Sequence, residues 1–457
     1  MFKIWQIKET IGKFRSRLGD FWWYSLMIFL ASRAADLLNA FVGLWLVPRY
    51  VPPSELGAVL PITNYATFLA FPMAVFVSTF RNEISLLSIQ KQFGKLKTLM
   101  RGVFLASVIF LLLAVVLSYF ILPHFLERIR VAEGSLGILI LISSFVGAVA
   151  PVYSNAMQAL KKFRATSFIN LIGAPVRLVT MLIAMPFRPL AGYFVGQMST
   201  PVFNIVMSLF SLRKELSVKA EAYWSKDVAK RFGKLFLIFA ISGVAGSFCG
   251  LIETTVLRQR LPEMDSAAYY VVTRFSDISS FLYCTLVFTI FPFTAERAAK
   301  GVDVRPLILK TSAAIVVFSF FIAVFFALFG RNIISLLPHG DVYSSYWWAI
   351  PWMVAVTMMG SLVGIYTTAE VSANRFGFLW WMVPLNLIYP AVLLFVTGYG
   401  YFKDVFPPAF IDFLTRLNAT SLESMLWWMT AIGLIRLLGC AIECFFMPKS
   451  ENPRCTA

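Results

Sequence analysis

Residues 103–123 read VFLASVIFLLLAVVLSYFILP, an unbroken stretch without a charged side chain. A transmembrane α-helix needs about 20 mostly apolar residues, whereas a strand of a membrane β-barrel shows only a short alternating pattern. This stretch therefore predicts a spanning helix. The rest of the chain agrees, since 59% of its 457 residues are hydrophobic, 14% are charged and the mean hydropathy is +0.76. Soluble domains are about half apolar and a quarter charged, so the sequence predicts an all-α integral membrane protein.

Further apolar runs, separated by charged residues, prolines and glycines, give twelve predicted spans in all. They lie near residues 24–48, 57–80, 103–123, 136–160, 165–187, 189–212, 235–257, 267–293, 311–330, 344–369, 377–399 and 424–447.

The basic residues between these spans predict the orientation of the chain. If the N-terminus is cytoplasmic, the inside segments hold 27 of the 40 Lys and Arg residues and the outside segments hold nine. Cytoplasmic loops carry this excess in membrane proteins, so we expect both termini to be cytoplasmic. The first twenty residues are basic and have no cleavage pattern, and we interpret them as a retained lead-in. Basic loops facing anionic lipid explain the net charge of +17 without nucleic acid.

A short phrase occurs twice in equivalent places. Residues 51–59 read VPPSELGAV and residues 261–269 read LPEMDSAAY, with Pro52 and Pro262, and likewise Glu55 and Asp265, at the same offset. We interpret both as turns in which proline ends one helix and Ser54 or Asp265 caps the next.

A second echo supports an internal repeat. KKFRATSFINLI at 161–172 resembles NRFGFLWWMVPLNLI at 374–388. Chance similarity between apolar segments is the alternative explanation. Because an even number of spans separates the copies, they have the same orientation, and the sequence predicts a six-plus-six parallel repeat. The predicted parts are an N-terminal lobe at 1–212, a cytoplasmic linker at 213–234 and a C-terminal lobe at 235–457.

Two pairs of opposite charges fall inside the predicted spans. Arg33 with Asp36, and Arg274 with Asp277, are spaced i, i+3 and share a helix face. Charges at this depth are costly. One explanation is that each pair neutralises itself so that the helix can insert. The other is that both faces line a cavity, where the arginines bind phosphate oxygens, the aspartates orient them, and Asn39 extends the first face.

Two further arginines, Arg177 and Arg436, lie at mid-depth without an acid at helical spacing. We expect both to point inward, with snorkelling or a carbonyl partner on a neighbouring helix as the alternative. Summed with the two pairs, the mid-depth charges give a net of +2. That sign favours an anionic ligand, whereas an exporter of organic cations should show the opposite balance.

The twelve spans, the Pro-x-x-acid phrase after the first helix of each half, and the aromatic-basic turn after the fourth resemble one family. It is the polysaccharide transporter (O-antigen flippase) branch of the multidrug/oligosaccharidyl-lipid/polysaccharide flippase superfamily. The lipid II flippases of that superfamily usually have two more helices. The resemblance implies a flippase of the bacterial inner membrane, moving a polyprenyl-pyrophosphate-linked oligosaccharide by alternating access. It implies membrane lipids around the protein, glycan polymerase or glycosyltransferase partners, and no cofactor.

Catalysis is not expected. No Ser/His/Asp or Cys/His set, metal-ligand spacing or phosphate-binding loop is present, and the five cysteines form no paired motif. A cation-coupled small-molecule exporter, with Asp36 or Asp277 as the coupling carboxylate, is the main alternative. A membrane glycosyltransferase or polymerase is the alternative from another class.

Overall fold

The computed structural model describes most of the chain. The described residues are 33–131, 136–160, 162–223, 226–281, single positions between 283 and 297, 302–372, 375–398, Pro407 and 421–446. The predicted N-terminal lead-in, the loop that precedes the last span and the C-terminal tail lie outside them. Within the described residues the secondary structure is entirely helical.

Twelve helices of fourteen or more residues occur in the described part of the chain. They are α1 (33–50, including a π-helical turn Val42–Leu46), α2 (Val59–Ile89), α3 (Phe93–Arg128), α4 (Leu136–Ala159), α5 (Phe163–Ala184), α6 (Pro189–Leu216), α7 (Lys226–Arg260), α8 (Glu263–Ser276), α9 (Arg305–Ser335), α10 (Ala349–Ser372), α11 (Leu379–Gly398) and α12 (Leu422–Phe446).

The helices confirm the all-α membrane prediction. Each predicted span has its helix, and nine described helices are long and apolar enough to cross a membrane. Large apolar side chains also remain exposed on helix surfaces: Leu112 of α3 is 61% exposed and Phe321 of α9 is 65% exposed. Exposed apolar side chains on long, mostly apolar helices are what lipid-facing surfaces require.

The apolar pattern underestimates the length of several helices. α2, α3 and α7 all extend by up to three turns into segments that were predicted to be basic loops. Hydropathy locates only the part of a helix inside the hydrocarbon, whereas the backbone hydrogen bonds continue into water wherever the local sequence allows. α8 shows the opposite difference, because its α-helical part ends at Ser276 and Asp277–Ser279 forms a 3₁₀ turn within the predicted span.

The chain divides into two compact units. Unit 1 comprises Met1–Phe41, Ala70–Leu117 and Ser135–Leu237, and unit 2 comprises Val42–Leu69, Ser118–Gly134 and Ile238–Ala457. The lobe boundaries that the repeat predicts in the sequence stay a prediction.

An apolar core in the described part of unit 1 contains residues from each of α2 to α6. Met73 of α2, Leu99 of α3, Val152 of α4, Ile169 of α5 and Leu212 of α6 are buried together in it. Residues of the predicted linker lie against the start of α3. There the Lys97 ammonium donates to the Val218 carbonyl (2.8 Å) and the Thr98 hydroxyl to the Glu221 carbonyl (2.6 Å). The first part of the linker is therefore held on the helix bundle rather than extended into solvent.

Unit 2 joins residues that are distant in sequence through a buried arginine. Arg258, at the end of α7, is 1% exposed. Its Nε donates to the Ile129 carbonyl (3.0 Å) and its Nη2 to the Ser54 carbonyl (2.6 Å). Arg130 next to Ile129 donates in turn to the Gln259 carbonyl (3.3 Å). A single side chain thus ties two loops at the predicted outer end to α7.

The repeated phrase forms turns, as predicted, but its side chains do not cap the helices. Pro52 is the N-cap of a one-turn helix, Pro53–Leu56, that precedes α2, and Pro262 is the N-cap of α8; neither cap has a side-chain hydrogen bond. The prediction that Ser54 or Asp265 caps the next helix is therefore wrong. Asp265 instead accepts hydrogen bonds from the Tyr346 hydroxyl (2.6 Å) and the Leu422 backbone N–H (3.3 Å). Its carboxylate holds the beginnings of other helices, a long-range role that local spacing does not encode.

Two helical glycines give a matched prediction about stability. A Cβ on Gly192 of α6 would lie 2.5 Å from the Met185 backbone nitrogen, whereas a Cβ on Gly147 of α4 would meet nothing within 4 Å. We expect Gly192→Ala to destabilise the protein by about 1–3 kcal/mol, because backbone atoms must move. Gly147→Ala should be neutral or stabilising by about 0.5–1 kcal/mol through helix propensity. Thermal unfolding of the purified variants measures both, and equal midpoints would contradict this packing.

Candidate functional site

A polar cavity lies within unit 1, between α1, α5 and α6. Its volume is about 370 Å³, within the range of about 300–1,000 Å³ that is usual for small-molecule pockets. The lining side chains follow helical spacing on each helix, so each helix presents one polar face. They are Ala35, Asp36 and Asn39 of α1, Asn170, Ala174 and Arg177 of α5, and Gln197, Thr200, Pro201 and Asn204 of α6.

Two charged contacts organise the α1 side of the cavity. Arg33 and Asp36 form an ion pair of 3.0 Å, with side chains that are 21% and 33% exposed. Arg177 of α5 donates from Nη1 to the Asn39 Oδ1 (3.0 Å). Asn39 is neutral, so this contact orients the guanidinium without cancelling its charge. The three charged side chains sum to +1 at this site.

The α6 side supplies neutral polar groups. The Gln197 amide donates to the Tyr193 hydroxyl (2.6 Å), and the Thr200 hydroxyl donates to the Gly173 carbonyl (2.9 Å). The Oδ1 of Asn204 is buried and accepts no hydrogen bond from the part of the chain that the structure describes. Gly173 allows α5 and α6 to approach closely, since a Cβ there would lie 3.1 Å from the Thr200 methyl group.

The second predicted pair lies in unit 2, where α8 passes into the 3₁₀ turn. Arg274 Nη1 donates to Asp277 Oδ2 (3.0 Å), and its guanidinium stands 5.1 Å from the centre of the Tyr270 ring. The Tyr270 hydroxyl donates to the Gly43 carbonyl in the π-helical turn of α1 (3.2 Å). A Cβ on Gly43 would lie 3.1 Å from Arg274 Cδ. This arginine therefore packs closely on the α1 backbone, and irregular helix turns occur on both sides of the contact.

The fourth arginine, Arg436 of α12, also has a neutral partner. Its Nη2 donates to Asn386 Oδ1 of α11 (2.7 Å) and contacts Cys249 Sγ of α7 (3.3 Å). This matches the alternative in which a partner on a neighbouring helix satisfies the arginine. Arg177 and Arg436 thus each donate to the carboxamide oxygen of an asparagine on another helix.

The structure brings four of the predicted site residues together: Arg33, Asp36, Asn39 and Arg177. It places Arg274 and Asp277 in one group of unit 2 and Arg436 in another. Sequence reasoning missed the neutral wall of the cavity. Its members are Asn170, Gln197, Thr200 and Asn204. The i, i+3, i+7 spacing of polar residues in α6 was the available signal, but polar uncharged side chains are inexpensive in membrane helices and attract less attention than charges.

No three His, Cys, Asp or Glu side chains in the described part of the chain lie close enough together to hold a metal ion. The cavity lining offers instead one arginine, one aspartate that is paired with Arg33, and several carboxamides. These groups bind anions and hydrogen-bonding neutral ligands.

Comparison with solved structures identifies the fold. The chain is similar to an inward-facing multidrug resistance MATE family transporter of the MOP superfamily, with a TM-score of 0.60 and 14% identity over 92% of this chain and 98% of that chain. It is similar to an outward-facing structure of such a transporter, with a TM-score of 0.59 and 13% identity over 92% and 94% of the chains.

A third similar structure is a MOP superfamily transporter from Pyrococcus furiosus, with a TM-score of 0.57 and 13% identity over 92% and 94% of the chains. It is described as having a binding pocket of reversed polarity that suggests a different function. No family model matches the sequence, and no curated protein matches it significantly. The chain therefore has the fold of the MATE transporters, a fold with twelve helices in two lobes.

Proposed function

We propose that the protein is a flippase that moves a polyprenyl-pyrophosphate-linked oligosaccharide across a bacterial cytoplasmic membrane by alternating access. The fold supports transport, because similar structures include both inward-facing and outward-facing forms of MATE transporters. Transport through two such forms requires binding and release, not bond making, so no catalytic group is assigned.

The anionic substrate class is inferred from the net positive charge of the Arg33, Asp36 and Arg177 side chains at the unit 1 cavity. Asp36 is already paired with Arg33 at 3.0 Å, and Arg177 lines the same cavity beside the neutral Asn39. A pyrophosphate in this cavity meets the guanidinium of Arg177 and one carboxylate, Asp36, which Arg33 already neutralises. In unit 2, Arg274 is paired with Asp277 at 3.0 Å and Arg436 donates to Asn386 at 2.7 Å.

A cation-coupled exporter of small molecules is the second candidate. It is supported by the similarity to multidrug resistance MATE transporters and by the presence of Asp36 in the cavity wall. The charge of the cavity opposes it, because a cation bound at Asp36 must compete with Arg33 and approach Arg177. Aromatic side chains, which usually bind organic cations, are absent from the described cavity lining.

Proteoliposomes containing the purified protein distinguish these functions. We expect translocation of a fluorescent short-chain polyprenyl pyrophosphate carrying one sugar, measured as probe protected from quenching by added dithionite. A cationic dye should not be moved under either a proton or a sodium gradient. The Arg33→Gln variant should lose translocation about 30-fold or more, since a charged contact to phosphate is worth about 2–3 kcal/mol.

Arg101→Gln is the matched control, because Arg101 is exposed on α3 and is absent from the cavity lining. Its translocation rate should equal that of the unaltered protein. Gradient-driven movement of the dye, without movement of the pyrophosphate lipid, would replace this proposal by the exporter function.

A further inference from the structure

The carboxamide side of the cavity, on α5 and α6, is not explained by a pyrophosphate alone. Asn170, Gln197 and Asn204 lie with Thr200 on the walls that face the same space as Arg177. Phosphate oxygens only accept hydrogen bonds, and the arginines already supply donors for them. A wall of carboxamides offers acceptors as well as donors, which a ligand with acceptors only leaves unused.

We propose that this wall is a sugar subsite, which binds the hydroxyl or acetamido groups of the sugar next to the pyrophosphate. The proposal rests on the proposed function, because it assigns the part of the same substrate that each side of the cavity contacts. Arg33 and Arg177 take the anionic part, and the α6 side chains take the first sugar.

Asn204 gives the strongest support for this sugar subsite. Its Oδ1 is buried and has no hydrogen-bond partner among the described residues, and a buried acceptor in this state is costly unless a ligand satisfies it. The missing partner must be a donor, which a sugar hydroxyl or an acetamido N–H provides and a phosphate does not. Gln197 is held by the Tyr193 hydroxyl at 2.6 Å, so its amide is also oriented before a ligand arrives.

Charge and size agree with a neutral polar ligand. The α6 side of the described lining carries no charged side chain, because its members are Gln197, Thr200, Pro201 and Asn204. A volume of about 370 Å³ holds a group of the size of one or two sugar rings rather than a long glycan. The rest of an oligosaccharide therefore has to lie outside this subsite.

Binding measurements on the full-length protein in nanodiscs test the subsite. The probes are a short-chain polyprenyl pyrophosphate without a sugar and the same lipid carrying N-acetylglucosamine, galactose or glucose. We expect at least one sugar to tighten binding about ten-fold, the effect of one or two good hydrogen bonds. Asn204→Leu and Gln197→Leu should each remove most of that gain and leave the affinity for the sugar-free lipid within about two-fold.

Asn332→Leu is the control, because Asn332 is exposed on α9 and lies outside the cavity; this variant should keep the full gain. If the sugar-free lipid binds and no sugar tightens it, the subsite is overturned and the flippase function survives. The subsite is equally overturned if the cavity variants weaken both kinds of probe alike. If none of the lipids binds the unaltered protein, the proposed function itself fails.

Discussion

Replacing Arg177 by glutamine is expected to slow translocation of a pyrophosphate-linked lipid by about 100-fold. Arg177 contributes a guanidinium to the unit 1 cavity and is oriented by Asn39 at 3.0 Å. Without it, the charge of Arg33, Asp36 and residue 177 falls from +1 to zero, and a charge-assisted contact to an anion worth about 2–4 kcal/mol is lost. The translocation rate of Arg177→Lys should lie between those of the unaltered protein and Arg177→Gln, because lysine keeps the charge and loses the planar fork of the guanidinium.

The effect is measured as the initial translocation rate in proteoliposomes, with protein amounts matched after reconstitution. Arg188→Gln is the control, since Arg188 is exposed where α6 begins and does not line the cavity. If the Arg177→Gln protein is folded and translocates the lipid at the normal rate, the cavity does not bind the lipid during transport.

Replacing Arg258 by alanine is expected to lower the free energy of unfolding by about 2–4 kcal/mol. The side chain is 1% exposed, and it donates to the carbonyls of Ile129 and Ser54. Its removal leaves both carbonyls without this donor and opens a space in unit 2. Arg258→Lys should recover only part of the loss, because one ammonium cannot reproduce the geometry of Nε and Nη2.

Thermal unfolding in detergent measures this prediction. Arg260→Ala, two residues further along α7, serves as the control because Arg260 is exposed, and its unfolding midpoint should not move. If Arg258→Ala unfolded at the same temperature as Arg260→Ala, the hydrogen bonds from Arg258 to Ile129 and Ser54 would not stabilise unit 2, and this prediction would be contradicted.

The fold was predictable because its main signal is the length of apolar runs. Stretches such as residues 103–123 leave few alternatives to spanning helices, and each predicted span corresponds to a helix. The ends of the helices were harder to predict than their existence. α3 runs from Phe93 to Arg128, beyond the apolar residues 103–123, because helical hydrogen bonding does not stop where the apolar pattern stops. The 3₁₀ turn at Asp277 had no signal in hydropathy at all.

The site was predictable only where charge made it visible. The ion pairs Arg33–Asp36 and Arg274–Asp277 follow from their i, i+3 spacing and are both present at 3.0 Å. The partners of Arg177 and Arg436 did not follow, because Asn39 and Asn386 lie on other helices. Pairing between helices depends on packing, and no local spacing in the chain encodes it.

The contacts of Asp265 and Arg258 show the same limit of prediction from sequence. Asp265 was expected to cap its own helix, yet it contacts Tyr346 and Leu422 more than 80 residues away. Arg258 is one of the nine basic residues that the sequence predicts to lie outside, yet it is 1% exposed and donates to the carbonyls of Ile129 and Ser54, which are distant in the chain. Sequence patterns predict which elements form, whereas tertiary contacts decide how their polar ends are satisfied.

The most direct test of the central claim is the leaflet distribution of lipid-linked oligosaccharide in cells from which this protein is rapidly depleted. Precursor on the cytoplasmic leaflet and precursor accessible from outside are quantified separately, using an impermeant glycosidase or lectin. The flippase function predicts continued synthesis, accumulation on the cytoplasmic leaflet and loss of the outer pool, reversed by the unaltered protein but not by Arg177→Gln. An outer pool that persists undiminished after depletion, or a halt in precursor synthesis itself, would contradict it.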